Sequence, residues 1–420
     1  MTDSCFGERL TFADVFAGCG GLSLGLTNAG WKGKFAIEKN PDAFGTLSKN
    51  LVAGERTEAN FDWPDWLPVQ ASTTGDLLKN HSEHLLNMKG SIDLLAGGPP
   101  CQGFSLAGRR SQSDPRNALT EDYIRMVSLL EPRMLLIENV RGFTIPFSKK
   151  NESSETLPYS VKVQRSLKKL GYAVYSELMD LSLFGVPQQR KRFILIAIKN
   201  GDPAIRRLGG RSPIDLIKES RLMFLESKGL SAASLVSVKD AIGDMETAGS
   251  KLVPCDDSPR TGYVKIDYLS AEFRTPYIEL MRCGSKIEPN SLRLPRHKEQ
   301  TKNQFRKIMD TCTPGRNLSD LDRHRLNIKK HSITPLNASK PSATITTLPD
   351  DMIHYSEPRI LTARENARLQ SFPDYYQFNG QYTTGGKDRK NSCPRYTQIG
   401  NAVPPLFAEA VGLVLNDLAS

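Results

Sequence analysis

A mainly parallel α/β sheet wrapped by helices and joined to a second, smaller domain is predicted by three observations. Short apolar runs alternate with longer amphipathic stretches over the first 200 residues, and a glycine-rich turn follows the first run. From about residue 199 to 357 this rhythm gives way to Pro, Ser and basic residues. At 420 residues the chain is long enough to build two cores.

The candidate strands are 11–16, 34–37, 92–96, 134–138, 173–180 and 192–198. Most are short apolar runs bounded by turn residues, the pattern of strands buried on both faces. Candidate helices at 22–28, 121–130 and 160–170 lie between them. Residues 406–418 return to a helical apolar period and are expected to pack back on the first domain. The expected division is therefore 1–198 with 391–420 as the first domain, 199–357 as the second, and 358–390 as a connecting hinge segment.

Composition narrows the function. Apolar residues make up 39% and charged residues 24%, as in ordinary globular proteins. The start MTDSCFGERLTFADVF lacks a basic leader followed by an apolar core, and no stretch approaches the roughly 18 apolar residues of a membrane span. A cytoplasmic protein with no membrane partner is expected. Seven cysteines, at 5, 19, 101, 255, 283, 312 and 393, include no CxxC pair and no zinc-like His spacing, so neither disulfides nor a metal site is predicted. The net charge of +10 points to a polyanionic partner. Residues 282–330 hold 13 Lys or Arg against 5 Asp or Glu, which makes this tract the candidate phosphate-contacting surface.

The chemistry begins at GGPPCQGFS (97–105), which directly follows an apolar strand and so places Cys101 at the end of a parallel sheet, where such folds bind ligands. A solitary cysteine is ordinarily a small buried hydrophobe, and only its surroundings argue otherwise. The strand 133–137 ends in Glu138, and a carboxylate there must be hydrogen-bonded, protonated or in use. Two strand ends delivering Cys101 and Glu138 to one crevice supply a nucleophile and a proton donor. Thiolate addition at C6 of a pyrimidine, with a carboxyl group at N3, turns the unreactive C5 into an enamine carbon able to take a methyl group from a sulfonium.

The first strand runs into FAGCGG (16–21), whose glycines let the backbone approach a ligand closely, and a second strand ends at Glu38, placed to accept from ribose hydroxyls. The spacing is not the GxGxxG of nicotinamide enzymes, so an adenosine-type cofactor without a pyrophosphate is favoured. In QQRKR (188–192), strand alternation would point Arg190 and Arg192 to one face, where a guanidinium fork could hold a phosphate or the O2 of a base.

Six blocks in order, FAGCGG (16–21), GGPPCQGFS (97–105), ENV (138–140), QQRKR (188–192), LTARENARLQSFP (361–373) and QIGNAVPP (398–405), resemble the DNA (cytosine-5) methyltransferase family across nearly the whole chain. The resemblance implies a class I S-adenosylmethionine-dependent methyltransferase sheet, Rossmann-like, with a smaller DNA-recognition domain. It implies S-adenosyl-L-methionine as cofactor, S-adenosyl-L-homocysteine as product and double-stranded DNA as substrate. Cys101 resembles the family's nucleophile, Glu138 its N3 partner, and Arg190 and Arg192 its arginines around the extruded cytosine and catalytic loop. Phe16, Gly18, Gly20, Gly21, Glu38, Asp76, Pro100, Asn401 and Val403 match positions lining the cofactor pocket. Ser105, Arg109 and Arg116 match a flap that closes over DNA, and Thr346, in the threonine-rich stretch 341–347, a phosphate contact. The target base must leave the stack for this chemistry. A monomeric, stand-alone modification enzyme of bacterial type is implied, with a restriction endonuclease as companion where it serves a restriction-modification system. Methylation of tRNA cytosine, a non-catalytic DNA-binding homologue and a nicotinamide oxidoreductase are the competing readings.

Overall fold

The computed structural model describes residues 9–56, 59–99, 118–146, 157–258, 260–285, 287–383 and 392–420. The chain forms two compact units, one of 1–180, 191–220 and 408–420 and one of 181–190 and 221–407.

The first unit contains, in order, β1 (Thr11–Val15), α1 (Gly21–Asn28), β2 (Lys32–Ile37), α2 (Pro41–Leu51), α3 (Thr74–Asn80), α4 (Ser82–Asn87), β3 (Leu94–Gly97), α5 (Ala118–Leu130), β4 (Met134–Val140), α6 (Tyr159–Lys169), β5 (Tyr172–Asp180), β6 (Lys191–Lys199) and α7 (Pro203–Arg207). All six expected strands are present, with ends within two residues of the expected ones. They form one sheet in the order β2-β1-β3-β4-β6-β5. β1 pairs in parallel with β2 and β3, and β3 with β4. The sheet departs from the expected parallel arrangement at β6, which runs antiparallel to both β4 and β5. Its connection from β5 spans only residues 181–190, shorter than the dozen or more residues a parallel crossover needs.

Strand alternation divides the core. Ala13, Val15, Phe35, Ile37, Leu95, Leu135, Ile137 and Leu195 pack with Leu77, Leu85, Met126, Val127, Val163 and Leu167 from α3 to α6. The intervening residues, Phe12, Leu94, Ala96, Met134, Leu136, Ile194 and Ile196, are buried as well. Trp31 donates through Nε1 to the Gly412 carbonyl at 2.8 Å, so residues 408–419 of the C-terminal helix (Pro405–Ala419) pack beside the end of α1. The tract 395–419 is long and apolar enough to span a membrane by length and composition alone, yet 78% of its most apolar window is buried and its helix breaks between Asn401 and Pro405.

The second unit takes over within α8 (Pro213–Ser227) and continues through α9 (Val238–Ile242), β7 (Leu252–Pro254), β8 (Val264–Ile266), α10 (Pro276–Arg282), α11 (Glu299–Thr311), α12 (Asp320–Arg325), β9 (Thr334–Pro335), β10 (Met352–Ile353), α13 (Ala363–Leu369) and α14 (Arg395–Asn401). Part of its core is apolar, with Phe305, Ile308, Leu318, Ile333 and Ile353 clustered together. Part is ionic. Arg368, fully buried, donates from Nε and Nη2 to the two carboxylate oxygens of Asp374, each at 2.7 Å. Arg359 forms a two-pronged pair with Glu365 at 2.7 and 2.8 Å. Thr362 and Glu365 close a capping box at the head of α13.

The unit boundaries differ from those expected. Residues 199–220 cluster with the first unit, where Arg207 donates to the Leu418 carbonyl at 2.7 Å. Residues 358–407 cluster with the second, where Arg395 binds Asp257 through both terminal nitrogens at 2.5 and 2.9 Å.

Candidate active site

β1 is central, pairing with β2 on one side and β3 on the other, so the chain reverses direction across the sheet there. The carboxyl ends of β1 and β3 flank that switch point, where open α/β sheets form their ligand crevice. Directly after β1 the backbone turns through left-handed conformations at Phe16 (φ 63°), Gly18 (φ 57°) and Gly20 (φ 88°). A phenylalanine in that region is strained, and such strain gathers at functional sites. A Cβ at Gly18 would meet nothing within 4 Å, so the turn borders open space. α1 starts at Gly21 with no side chain capping it, which leaves its first N–H groups for a ligand.

Glu38, just past β2, braces this turn. Its Oε2 accepts from the Gly18 N–H at 3.0 Å and its Oε1 from the Asn40 N–H at 2.8 Å. Burial raises the Glu38 pKa above the ordinary carboxylate value, and these two hydrogen bonds oppose the rise. The Ser72 N–H donates to the Glu38 carbonyl at 2.9 Å, tying the approach to α3 to the same strand end. Asp76 stands in the first turn of α3, fully exposed, its carboxylate bonded to the Thr73 hydroxyl at 2.6 Å and its pKa lowered by that bond. An open glycine turn, an uncapped helix start and a carboxylate at the next strand end fit an adenosine-type methyl donor.

The second half of the site lies at the ends of β3 and β4. Gly97 pairs with Ile137, so Gly98 emerges beside Glu138. A Cβ built on Gly98 would sit 3.5 Å from Glu138 Oε2. Arg192 Nε lies 2.8 Å from Glu138 Oε1, both side chains mostly buried, although the alignment is too poor for a hydrogen bond. Asn139, buried, donates from Nδ2 to the Pro99 carbonyl at 3.0 Å. Glu138 and Asn139 thus flank the first residues of the segment that carries Cys101, with Arg192 beside Glu138. Pro100, Cys101, Ser105, Arg109 and Arg116 lie outside the described residues.

Arg190 belongs to the second unit and precedes the start of β6 at Lys191, so strand alternation does not extend to it. It is buried, donating to the carbonyls of Ile345, Gly400 and Ala402 at 3.1 to 3.4 Å. It therefore braces the turn that carries Asn401, which is exposed, and Val403, which is half-buried. Gly400 packs so tightly that a Cβ there would fall 2.2 Å from the Thr346 carbonyl oxygen. Thr346 is exposed, and its hydroxyl donates to Asp351 at 2.5 Å. Among the described residues, no group of three or more His, Cys, Asp or Glu is arranged to hold a metal ion.

Sequence reasoning passed over Asn139 and Asp14. Asp14 lies inside β1, buried, with Oδ2 accepting from the Ser23 hydroxyl at 2.6 Å and Oδ1 without a hydrogen-bond partner. The signal was available, since FADVF sets a carboxylate inside an apolar strand just as LLIENV does.

The family model of the C-5 cytosine-specific DNA methylases matches residues 10–416. The Type II methyltransferase M.DdeI of Desulfomicrobium norvegicum is 31% identical over 415 residues, covering 96% of this chain and 87% of its own. The Type II methyltransferase M.XorII of Xanthomonas oryzae is 30% identical over 423 residues, covering 95% and 82%. Among solved structures, an E. coli prophage protein described as a DNA modification methyltransferase superposes with a TM-score of 0.64 at 23% identity, covering 98% of this chain and 99% of that one. That likeness concerns the fold, which is the class I methyltransferase sheet.

Proposed function

Because the chain belongs to the C-5 cytosine-specific DNA methylase family, we propose that it transfers a methyl group from S-adenosyl-L-methionine to C5 of a cytosine flipped out of double-stranded DNA. The observation that carries the reading is the Glu138 carboxylate, set beside Arg192 and against Gly98, which lies three residues before Cys101.

The turn at Phe16, Gly18, Gly20 and Gly21, together with Glu38, Asp76, Pro100, Asn401 and Val403, would hold the cofactor. When bound, S-adenosylmethionine supplies an electrophilic methyl group on a sulfonium. The Cys101 thiolate adds to C6 of the base while the Glu138 carboxyl hydrogen-bonds N3, so the added electron pair develops at C5. After C5 is alkylated, loss of its proton and departure of the thiolate restore the aromatic ring and the enzyme. Arg192 positions Glu138, and Arg190 positions the Asn401 turn. Ser105, Arg109, Arg116 and Thr346 would contact the DNA around the extruded base. The enzyme acts as a cytoplasmic monomer alongside a restriction endonuclease of matching specificity.

Duplex DNA carrying 5-fluorocytosine at the target tests this, because fluorine at C5 blocks the final elimination. A denaturant-resistant adduct that requires cofactor and is lost in Cys101→Ala is expected. Label from S-adenosylmethionine appearing in tRNA and not in DNA would overturn the reading.

A further inference from the structure

We propose that Arg293 reads a guanine in the recognition sequence, presenting a fixed fork of N–H donors to the O6 and N7 edge of that base. The inference rests on the reading of the chain as a DNA methyltransferase and names one residue that sets its specificity.

The guanidinium of Arg293 lies over two aromatic rings. Its Cζ lies 4.3 Å from the centroid of Tyr263 and 3.9 Å from that of Tyr382. The buried ring is itself fixed. The Tyr382 hydroxyl donates to Asp257 at 2.9 Å, and Arg395, bound to the same Asp257, stacks on Tyr382 at 4.4 Å. The Arg293 backbone is equally constrained, because Leu292 and Leu294 on either side are buried and the Leu294 N–H donates to the Val264 carbonyl of β8 at 2.9 Å.

The charge balance singles Arg293 out. In the same unit Arg282, Arg359, Arg368 and Arg395 each pair with a carboxylate. Arg364 lacks one but donates to three main-chain carbonyls. Arg293 has no carboxylate within ion-pair distance among the described residues, and its side chain makes one hydrogen bond, from Nη1 to Ser258 Oγ at 3.2 Å. A guanidinium carries five N–H groups, so four remain. A half-buried cation with no counter-charge and most of its donors unused among the described residues is costly in the free protein, and it is suited to a ligand that brings acceptors.

Rigidity decides between base and phosphate. A phosphate accepts from any direction, and the exposed cations Arg260, Arg296 and Lys298 of the same unit can serve it, Arg296 lying 5.3 Å from the Tyr263 ring. A guanine edge accepts two coplanar hydrogen bonds, and a guanidinium already held against two rings meets that need with little further loss of entropy.

The test is expression of the wild type and Arg293→Lys in a host without cytosine methylation, followed by conversion sequencing of the genome and thermal melting of both proteins. The lysine keeps the charge and loses the planar fork. The expected result is an unchanged target cytosine with one guanine of the motif relaxed, discrimination there falling on the order of 10- to 100-fold. An unchanged motif, whether methylation is full or uniformly reduced, overturns the inference and leaves a phosphate contact or a structural role. Should Arg293→Lys give no cooperative melt, Tyr263→Leu, which removes the half-exposed ring, is expected to relax the same position, and an intact motif there overturns the inference equally. A wild type that methylates no DNA would refute the underlying reading, and the inference with it.

Discussion

Single residues carry the chemistry, and their legibility depended on whether the local sequence marked them. Glu138 was marked by the apolar run before it, and the structure sets it inside β4, two residues before the strand ends, against Gly98. We expect Glu138→Gln to retain DNA binding while losing activity on the order of 10²- to 10⁴-fold, measured as single-turnover methyl transfer. Asp14 shows what the same logic yields inside a strand. Burial pushes its pKa up to about 7, opposed by the Ser23 hydroxyl and assisted by the nearby Glu38 charge. The folded protein keeps this proton where the unfolded chain has lost it. Its stabilising contribution is therefore complete below pH about 4 and lost as pH rises through about 7, a swing on the order of 4 kcal/mol. Urea unfolding between pH 4 and 8 should show the wild type losing stability relative to Asp14→Asn across that window. A parallel pair of curves would mean that Asp14 is ionised in the fold.

Elements were legible where they are local and opaque where pairing is distant. Hydrophobic runs placed all six strands of the sheet, yet nothing in 191–199 announces that β6 runs against its neighbours, because direction follows from the length of the preceding connection. The block 361–373 was visible as a motif, but not as the charged interior it builds. All seven residues of α13 are buried, among them Arg364, Glu365 and Arg368. Arg368 would keep only its longer 3.3 Å ion pair with Asp244, so Asp374→Asn should destabilise the protein by up to about 3 kcal/mol in chemical denaturation. Gly400 admits no side chain against the Thr346 carbonyl. Gly400→Ala is expected to cost about 1 to 3 kcal/mol by shifting backbone, and to raise the cofactor KM by displacing Asn401. A variant with unchanged melting temperature and KM would show that this contact yields freely.

For the whole molecule, charge and connectivity matter most. Several cations of the 282–330 tract are paired on the surface, as Arg306 is with Glu299 and Arg325 with Asp322, so fewer than the 13 counted in the sequence are unengaged. Enough excess remains for DNA affinity to fall linearly in log–log salt titrations. A protein neutralising six or more phosphates loses about 10³-fold or more between 50 and 200 mM salt, and a flat titration would rule out this mode of binding.

The sequence by itself determined the sheet's strands, the glycine turn and the order of the chemical blocks, because periodicity, turn residues and motif spacing are properties of neighbouring residues. Tertiary structure alone decided the reversal of β6, the transfer of 358–407 to the second unit, the burial of Arg190 against carbonyls and the placing of Arg293 over two rings. Each of these joins residues far apart in the chain, and only the closed fold brings the partners within range of the short-distance forces that fix them.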